Sequence, residues 1–226
     1  MTHDVDPNER VRTWFSRRRT PDAVVGMAQV ADVLRDVADQ LHGSEATPDD
    51  VEELLALATR LRERTSDLAP APNHLPGAPV DPDDLTFLDR SPLSGVVNPV
   101  APPMRMTHEG DKVVGRVTFG EAFEGPPGHV HGGWVASGFD EVMGMAQALG
   151  SAPGMTARLD VAYRRPTPLG VELLFAGWID SVRGRKIRTS ATLHHGGTLL
   201  AEASGLFVSV DFEAFAQRAG EVGGDG

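Results

Sequence analysis

The sequence predicts an α+β fold: a long antiparallel sheet with one helix against one face, behind an N-terminal helical extension. Three observations carry that expectation. After residue 104, runs rich in β-forming residues are separated by glycine turns, with one apolar helical stretch among them. Before residue 65, apolar residues recur at helical spacing. Between the halves lies a stretch too rich in proline to be helical.

The elements follow in chain order. Met1-Thr2-His3-Asp4-Val5-Asp6 is acidic and lacks an apolar run, so it does not read as a signal peptide. Arg17-Arg18-Arg19 reads as a solvated approach to a helix, rather than a patch for an anionic partner. Thr20-Pro21-Asp22 combines an N-cap, a proline at the first helical position and an early acid. Val24, Met27, Ala28, Ala31, Leu34, Val37, Ala38 and Leu41 then form a stripe, and Gly43 stops it. Thr47-Pro48-Asp49-Asp50 repeats the start signal, and Val51, Leu54, Leu55, Ala58 and Leu61 form a second stripe. The two stripes are expected to pack on each other and on the main domain or a second subunit. Pro70, Pro72, Pro76, Pro79 and Pro82 make residues 65–84 an extended connector. The helices and connector together take residues 1–85, the main domain 86–212 and a tail 213–226.

In the main domain, strands are predicted at Met104–Glu109 and Lys112–Phe119, joined by the hairpin signal Gly110-Asp111. A Gly/Pro loop leads into a helix at about Gly133–Leu149. Four strands follow: Thr156–Tyr163, Glu172–Arg183, Lys186–His194 and Thr198–Val210. Gly184 and Gly196-Gly197 mark turns, and Gly205 marks a bulge in the last strand.

Composition removes several function classes. The chain has 226 residues, enough to bury a substantial core. It has no cysteine, which excludes disulfides, thiolate catalysis and cysteine-ligated zinc. The net charge is −11, so no basic footprint for nucleic acid is present. Residues 1–85 hold most of that charge, with 17 acids against 9 arginines. The longest uncharged run, Val142 to Ala157, is interrupted by glycine and proline and is too short to span a bilayer. A cytoplasmic location is the default expectation.

Chemistry concentrates in Gly128-His129-Val130-His131-Gly132-Gly133 and the helix that follows, with Asp140 two turns in. A glycine pair at a helix start leaves backbone N–H groups open, and the helix dipole adds positive character there. That suits a developing oxyanion. An acid in an otherwise apolar helix is costly unless it has a role or a partner. The plainer readings are that His131 caps the helix and that Asp140 lies on a weakly polar face with Ala136, Met143 and Gln147. Glu141 points about 100° away from Asp140 and reads as a structural partner for an arginine. His129-x-His131 and His194-His195 lack an acid at ligand spacing, so no metal is expected. Ser137 and Ser204 lie outside any nucleophile-elbow pattern, which argues against a serine hydrolase.

Five segments stand out together: Phe123–Gly133, Asp140-Glu141-Val142-Met143-Gly144, Thr156–Gly170 with its Tyr163-Arg164-Arg165-Pro166, Gly184-Arg185-Lys186, and Ala201–Val208. In them the chain resembles the hotdog-fold acyl-CoA thioesterases of the phenylacetate-pathway (PaaI-like) type, within the 4-hydroxybenzoyl-CoA thioesterase superfamily. The segments run in order over about residues 95–212, and residues 1–85 have no counterpart in the minimal domain.

The resemblance implies a hotdog fold, an antiparallel sheet wrapped around a central helix. It implies a homodimer with sheets joined side by side and sites at the interface; a dimer of dimers stays open. It implies acyl-CoA as substrate, with no cofactor beyond the coenzyme A that the substrate carries. Asp140 matches the catalytic carboxylate, as general base or nucleophile. Gly132 and Gly133 match the backbone donors to the thioester oxygen, and His131 the histidine beside it. Thr156 matches a threonine that positions the water or carboxylate from the opposite subunit.

Arg164, Arg165, Arg183, Arg185, Lys186 and Arg188 are the basic concentration of the second half. Of these, Arg164, Arg165, Arg185, Lys186 and Arg188 are candidates for the phosphates of coenzyme A, since guanidinium suits phosphate. Exposed strand charge is the alternative. Two other functions stay open: a hotdog dehydratase or hydratase using His131 and Asp140, and a non-catalytic acyl-CoA-binding regulatory protein.

Overall fold

The computed structural model describes residues 22–69, 85–150 and 154–210. Arg17-Arg18-Arg19, the first start signal through Pro21, most of the proline connector and the tail 213–226 lie outside the described residues.

Two helices come first, α1 (Asp22–His42) and α2 (Pro48–Ser66). Helix α1 buries Ala31 and half-buries Val24, Ala28 and Leu34 on one stripe, as the spacing requires. Polar contacts fix its position on the main domain. The Arg35 guanidinium donates to the Asn98 carbonyl at 2.8 Å, and the Asp39 carboxylate accepts from the Ala122 N–H at 2.9 Å. Helix α2 starts at a capping box: Asp50 N–H donates to the Thr47 hydroxyl, and Thr47 N–H donates back to the Asp50 carboxylate. No residue of α2 is buried. Among the described residues, α1 therefore covers only part of its stripe, with Met27, Val37 and Leu41 exposed, and α2 covers none of its own.

The main domain is a six-stranded antiparallel sheet ordered β1-β2-β4-β5-β6-β3. Its strands are β1 (Arg105–Glu109), β2 (Lys112–Thr118), β3 (Gly154–Tyr163), β4 (Glu172–Arg183), β5 (Lys186–His195) and β6 (Thr198–Ser209). All the sequence-predicted strands are present within a residue or two, and the turns fall at Gly110, Gly184 and Gly196-Gly197. Strands β1 and β3 are the edges. Strand β3 leaves the order of the chain: it follows the helix, crosses the sheet and pairs with β6.

The α-helix found among this domain's described residues, α3 (Gly132–Gly150), lies across one face. Val135, Phe139, Val142, Met143, Ala146 and Leu149 are buried against Leu173, Phe175, Ile187, Leu193 and Phe207. Phe139 meets Phe175 edge to face, ring centres 5.2 Å apart. Each such ring contributes about 1.5–3 kcal/mol through burial. This packing anchors α3 and so fixes everything at its N-terminus.

Gly205 is not a bulge: it pairs in regular register with Leu159 and Thr189. The irregularities fall at Ala157, Asp180 and Leu200 instead. Gly205 is a close-approach site. A Cβ there would stand 2.7 Å from the Thr189 hydroxyl and 3.0 Å from the Phe207 ring.

Candidate active site

The loop before α3 is held from several sides. Gly128 adopts φ +75°, a conformation that favours glycine. Its N–H donates to the Glu124 carboxylate at 2.6 Å. The His129 ring donates to the Pro127 carbonyl at 2.8 Å, and His131 N–H donates to the Phe123 carbonyl at 2.9 Å. His42, at the end of α1, stands 3.4 Å from the other Glu124 oxygen. The Gly128 N–H first, then His42, holds the Glu124 carboxyl below its ordinary pKa. No sequence pattern singled out Glu124 or His42, because their partners are a backbone N–H and a residue 82 positions away.

His131 caps α3. Its Nδ1 accepts from Gly133 N–H at 3.0 Å, and its carbonyl accepts from Trp134 N–H at 2.9 Å. Gly132 N–H has no hydrogen-bond partner among the described residues. The Gly132 carbonyl accepts from the Tyr163 hydroxyl at 2.7 Å, tying the helix start to edge strand β3. Burial raises the Tyr163 phenol. Tyr163 was visible in the sequence only as part of a resembling segment, without a role.

Two turns further on, Asp140 is half-buried, and its carboxylate accepts from the Thr156 hydroxyl at 2.7 Å. Donor and acceptor belong to the same chain, whereas the resemblance implied a threonine from the opposite subunit. The reason is the crossover: β3 begins just after α3 ends and runs back beside it. Glu141 also departs from expectation. Its partners are the Ser91 and Ser94 hydroxyls, the first at 2.8 Å, rather than an arginine. The segment 85–101 folds under α3 and supplies them.

Residues 127–202 match the family model for the Thioesterase superfamily. Acyl-coenzyme A thioesterase THEM4 of Xenopus laevis is 36% identical over 93 residues, covering 40% of this chain and 42% of that protein. THEM4 of Bos taurus is 36% identical over 99 residues, covering 42% and 39%. The chain thus spans about two fifths of the length of the curated relatives it matches. A crystal structure of a thioesterase superfamily protein is 33% identical, with a TM-score of 0.71, over 81% of this chain and 90% of that one. The chain belongs to the thioesterase superfamily.

The hotdog arrangement expected of this superfamily chain is the one observed, with the added helices α1 and α2 in front. Its basic residues do not form one patch. Strand alternation puts Lys186 and Arg188 on the sheet face opposite α3, exposed, while Ile187 and Thr189 face the helix. Within one chain this separates Lys186 and Arg188 from Asp140. Arg164 is committed to Glu202, and Arg185 donates to the Ser209 carbonyl at 3.0 Å. Arg165 remains exposed, two residues beyond Tyr163 and so near the α3 N-terminus. A cavity of about 520 Å³ opens on that opposite face beside Trp178, Ser190 and Thr192, and it contains none of the candidate catalytic residues. Among the described residues, no group of three or more His, Asp or Glu side chains gathers around one point.

Proposed function

We propose that this protein is an acyl-CoA thioesterase that hydrolyses a CoA thioester to a free acid and coenzyme A. The observation that carries the reading is the Asp140 carboxylate, oriented by Thr156 on a helix whose N-terminus offers the Gly132 N–H. Thioester hydrolysis passes through a tetrahedral oxyanion, and one preorganised N–H contributes about 3–4 kcal/mol to its stabilisation. Asp140 activates water as a general base or attacks the carbonyl as nucleophile. Gly133 N–H is occupied by His131 Nδ1 and becomes a second donor only when the thioester oxygen displaces the imidazole.

The same geometry supports a homodimer. Gly132 and Asp140 lie eight residues apart on α3, about 12 Å along its axis. A single carbonyl needs its donor and its attacking group each within about 3–3.5 Å. One chain therefore does not serve one thioester with both groups. Two copies joined through the free edge of β3, with α3 helices antiparallel, bring the Gly132 of one to the Asp140 of the other.

The test is thiol release across an acyl-CoA panel. Asp140→Asn is expected to abolish release while the protein stays folded. Gly132→Pro removes the N–H at a helix position that tolerates proline, and it is expected to be inactive too. Chains carrying each substitution, co-expressed, are expected to regain activity from mixed dimers. Near-normal turnover by Asp140→Asn defeats the assignment, and failure of complementation defeats the shared site. Hydration of an enoyl-CoA without thiol release would favour the dehydratase instead.

A further inference from the structure

Helix α2 carries an apolar face that no described residue covers. Leu55 is 66% exposed and Val51 53% exposed, on a helix with no buried residue. Val51, Leu54, Ala58 and Leu61 repeat at the three-four-three spacing of a paired-helix seam, with Leu55 and Leu57 beside it. Charge is divided along the same helix. Asp49, Asp50, Glu52 and Glu53 occupy its first half; Arg60, Arg62 and Arg64 occupy its second, against Glu63 alone. Parallel pairing of two copies would set acid on acid and arginine on arginine. Antiparallel pairing sets the acidic half of each against the basic half of the other.

We propose that α2 is a self-association surface that pairs antiparallel with α2 of a second copy of this chain. One register satisfies seam and charge together. Val51 lies opposite Leu61 of the partner subunit, and Leu54 lies opposite Ala58 of the partner subunit. The two-fold axis passes near residue 56. Leu55 and Leu57 then meet their own counterparts on the two sides of the axis, and Asp50 comes beside Arg64 of the partner subunit. The same patch is used by both copies, so the contact closes on itself. It does not rest on the proposed chemistry, because α2 contributes nothing to the Asp140 region.

The absence of native cysteine makes the test clean. The full chain carrying Val51→Cys and Leu61→Cys is expected to give a covalent dimer under mild oxidation, reversed by thiol. Either single substitution is expected to give none. In the antiparallel register, the two copies of one position lie about 15 Å apart along the axis. Disulfides need Cα atoms within about 7 Å. The same distance prevents the double variant from bridging itself. No covalent dimer from the double variant, or a dimer from either single variant, overturns the proposal. Adding Arg60→Glu, Arg62→Glu and Arg64→Glu to the double variant is expected to remove most of the dimer at low salt. An unchanged yield overturns the register. These positions are solvent-facing, so circular dichroism and thiol release serve as controls for an intact domain.

Discussion

Thr156→Val tests the site at its best-defined bond. Valine keeps the shape of threonine and its preference for a strand, and removes only the hydroxyl that donates to Asp140 at 2.7 Å. A hydrogen bond to a charged group contributes about 1.5–3 kcal/mol. Asp140 is half-buried and Thr156 exposed, so water competes and the lower half of that range applies. About 1.5–2 kcal/mol in the transition state corresponds to roughly 10–30-fold in kcat. Thiol-release kinetics with saturating acyl-CoA measure it, with KM nearly unchanged because the hydroxyl faces the carboxylate. Thr156→Ser is expected to restore most of the rate. Co-expression with an Asp140→Asn chain is not expected to rescue Thr156→Val, because the hydrogen bond lies within one chain. A Thr156→Val enzyme within about two-fold of wild type, or rescue by the Asp140→Asn partner, refutes the reasoning.

Two further expectations concern charge. Arg165→Ala is expected to raise KM for CoA esters more than for short thioesters lacking the nucleotide, whereas the pair Lys186→Ala and Arg188→Ala leaves that ratio unchanged. The reverse pattern would return the phosphate site to the outer face. Glu124 has its folded pKa held below the ordinary 4.5 by the Gly128 N–H and His42. A depressed carboxylate contributes stability that is present above the unfolded pKa and lost as pH falls through the folded one. Glu124→Gln is therefore expected to flatten the acid side of the urea-midpoint profile, and an unaltered acid limb would contradict it.

The elements were legible because their signals are local. Strand alternation and turn glycines place β1 to β6 within a residue or two, and the Thr47 capping box starts α2 where the sequence says. Asp140 and the Gly132-Gly133 pair also stand out in the sequence, as an acid in an apolar helix and glycines at its start, whereas Thr156 stands out only through the family resemblance. What failed needed three dimensions. Glu141 finds Ser91 and Ser94 because an unpatterned segment passes beneath α3. Gly205 looked like a bulge because glycine in a strand signals either a bulge or a close approach, and only the overlying helix tells which. The separation of Lys186 and Arg188 from Asp140 follows from strand parity plus the side on which α3 lies. Parity is readable in the sequence; the side is not.

The fit between α3 and the sheet has a consequence for how this chain changes over evolutionary time. A Cβ at Gly138 would meet the Phe175 ring at 2.7 Å, and Gly205 is equally constrained. There is no space beneath the helix for an acyl chain at these points. On the proposed reading, substrate meets Asp140 on the outer side of α3, away from these two contacts. Substrate preference and thermodynamic robustness are thus assigned to different residues. Selection can retune the first without eroding the second.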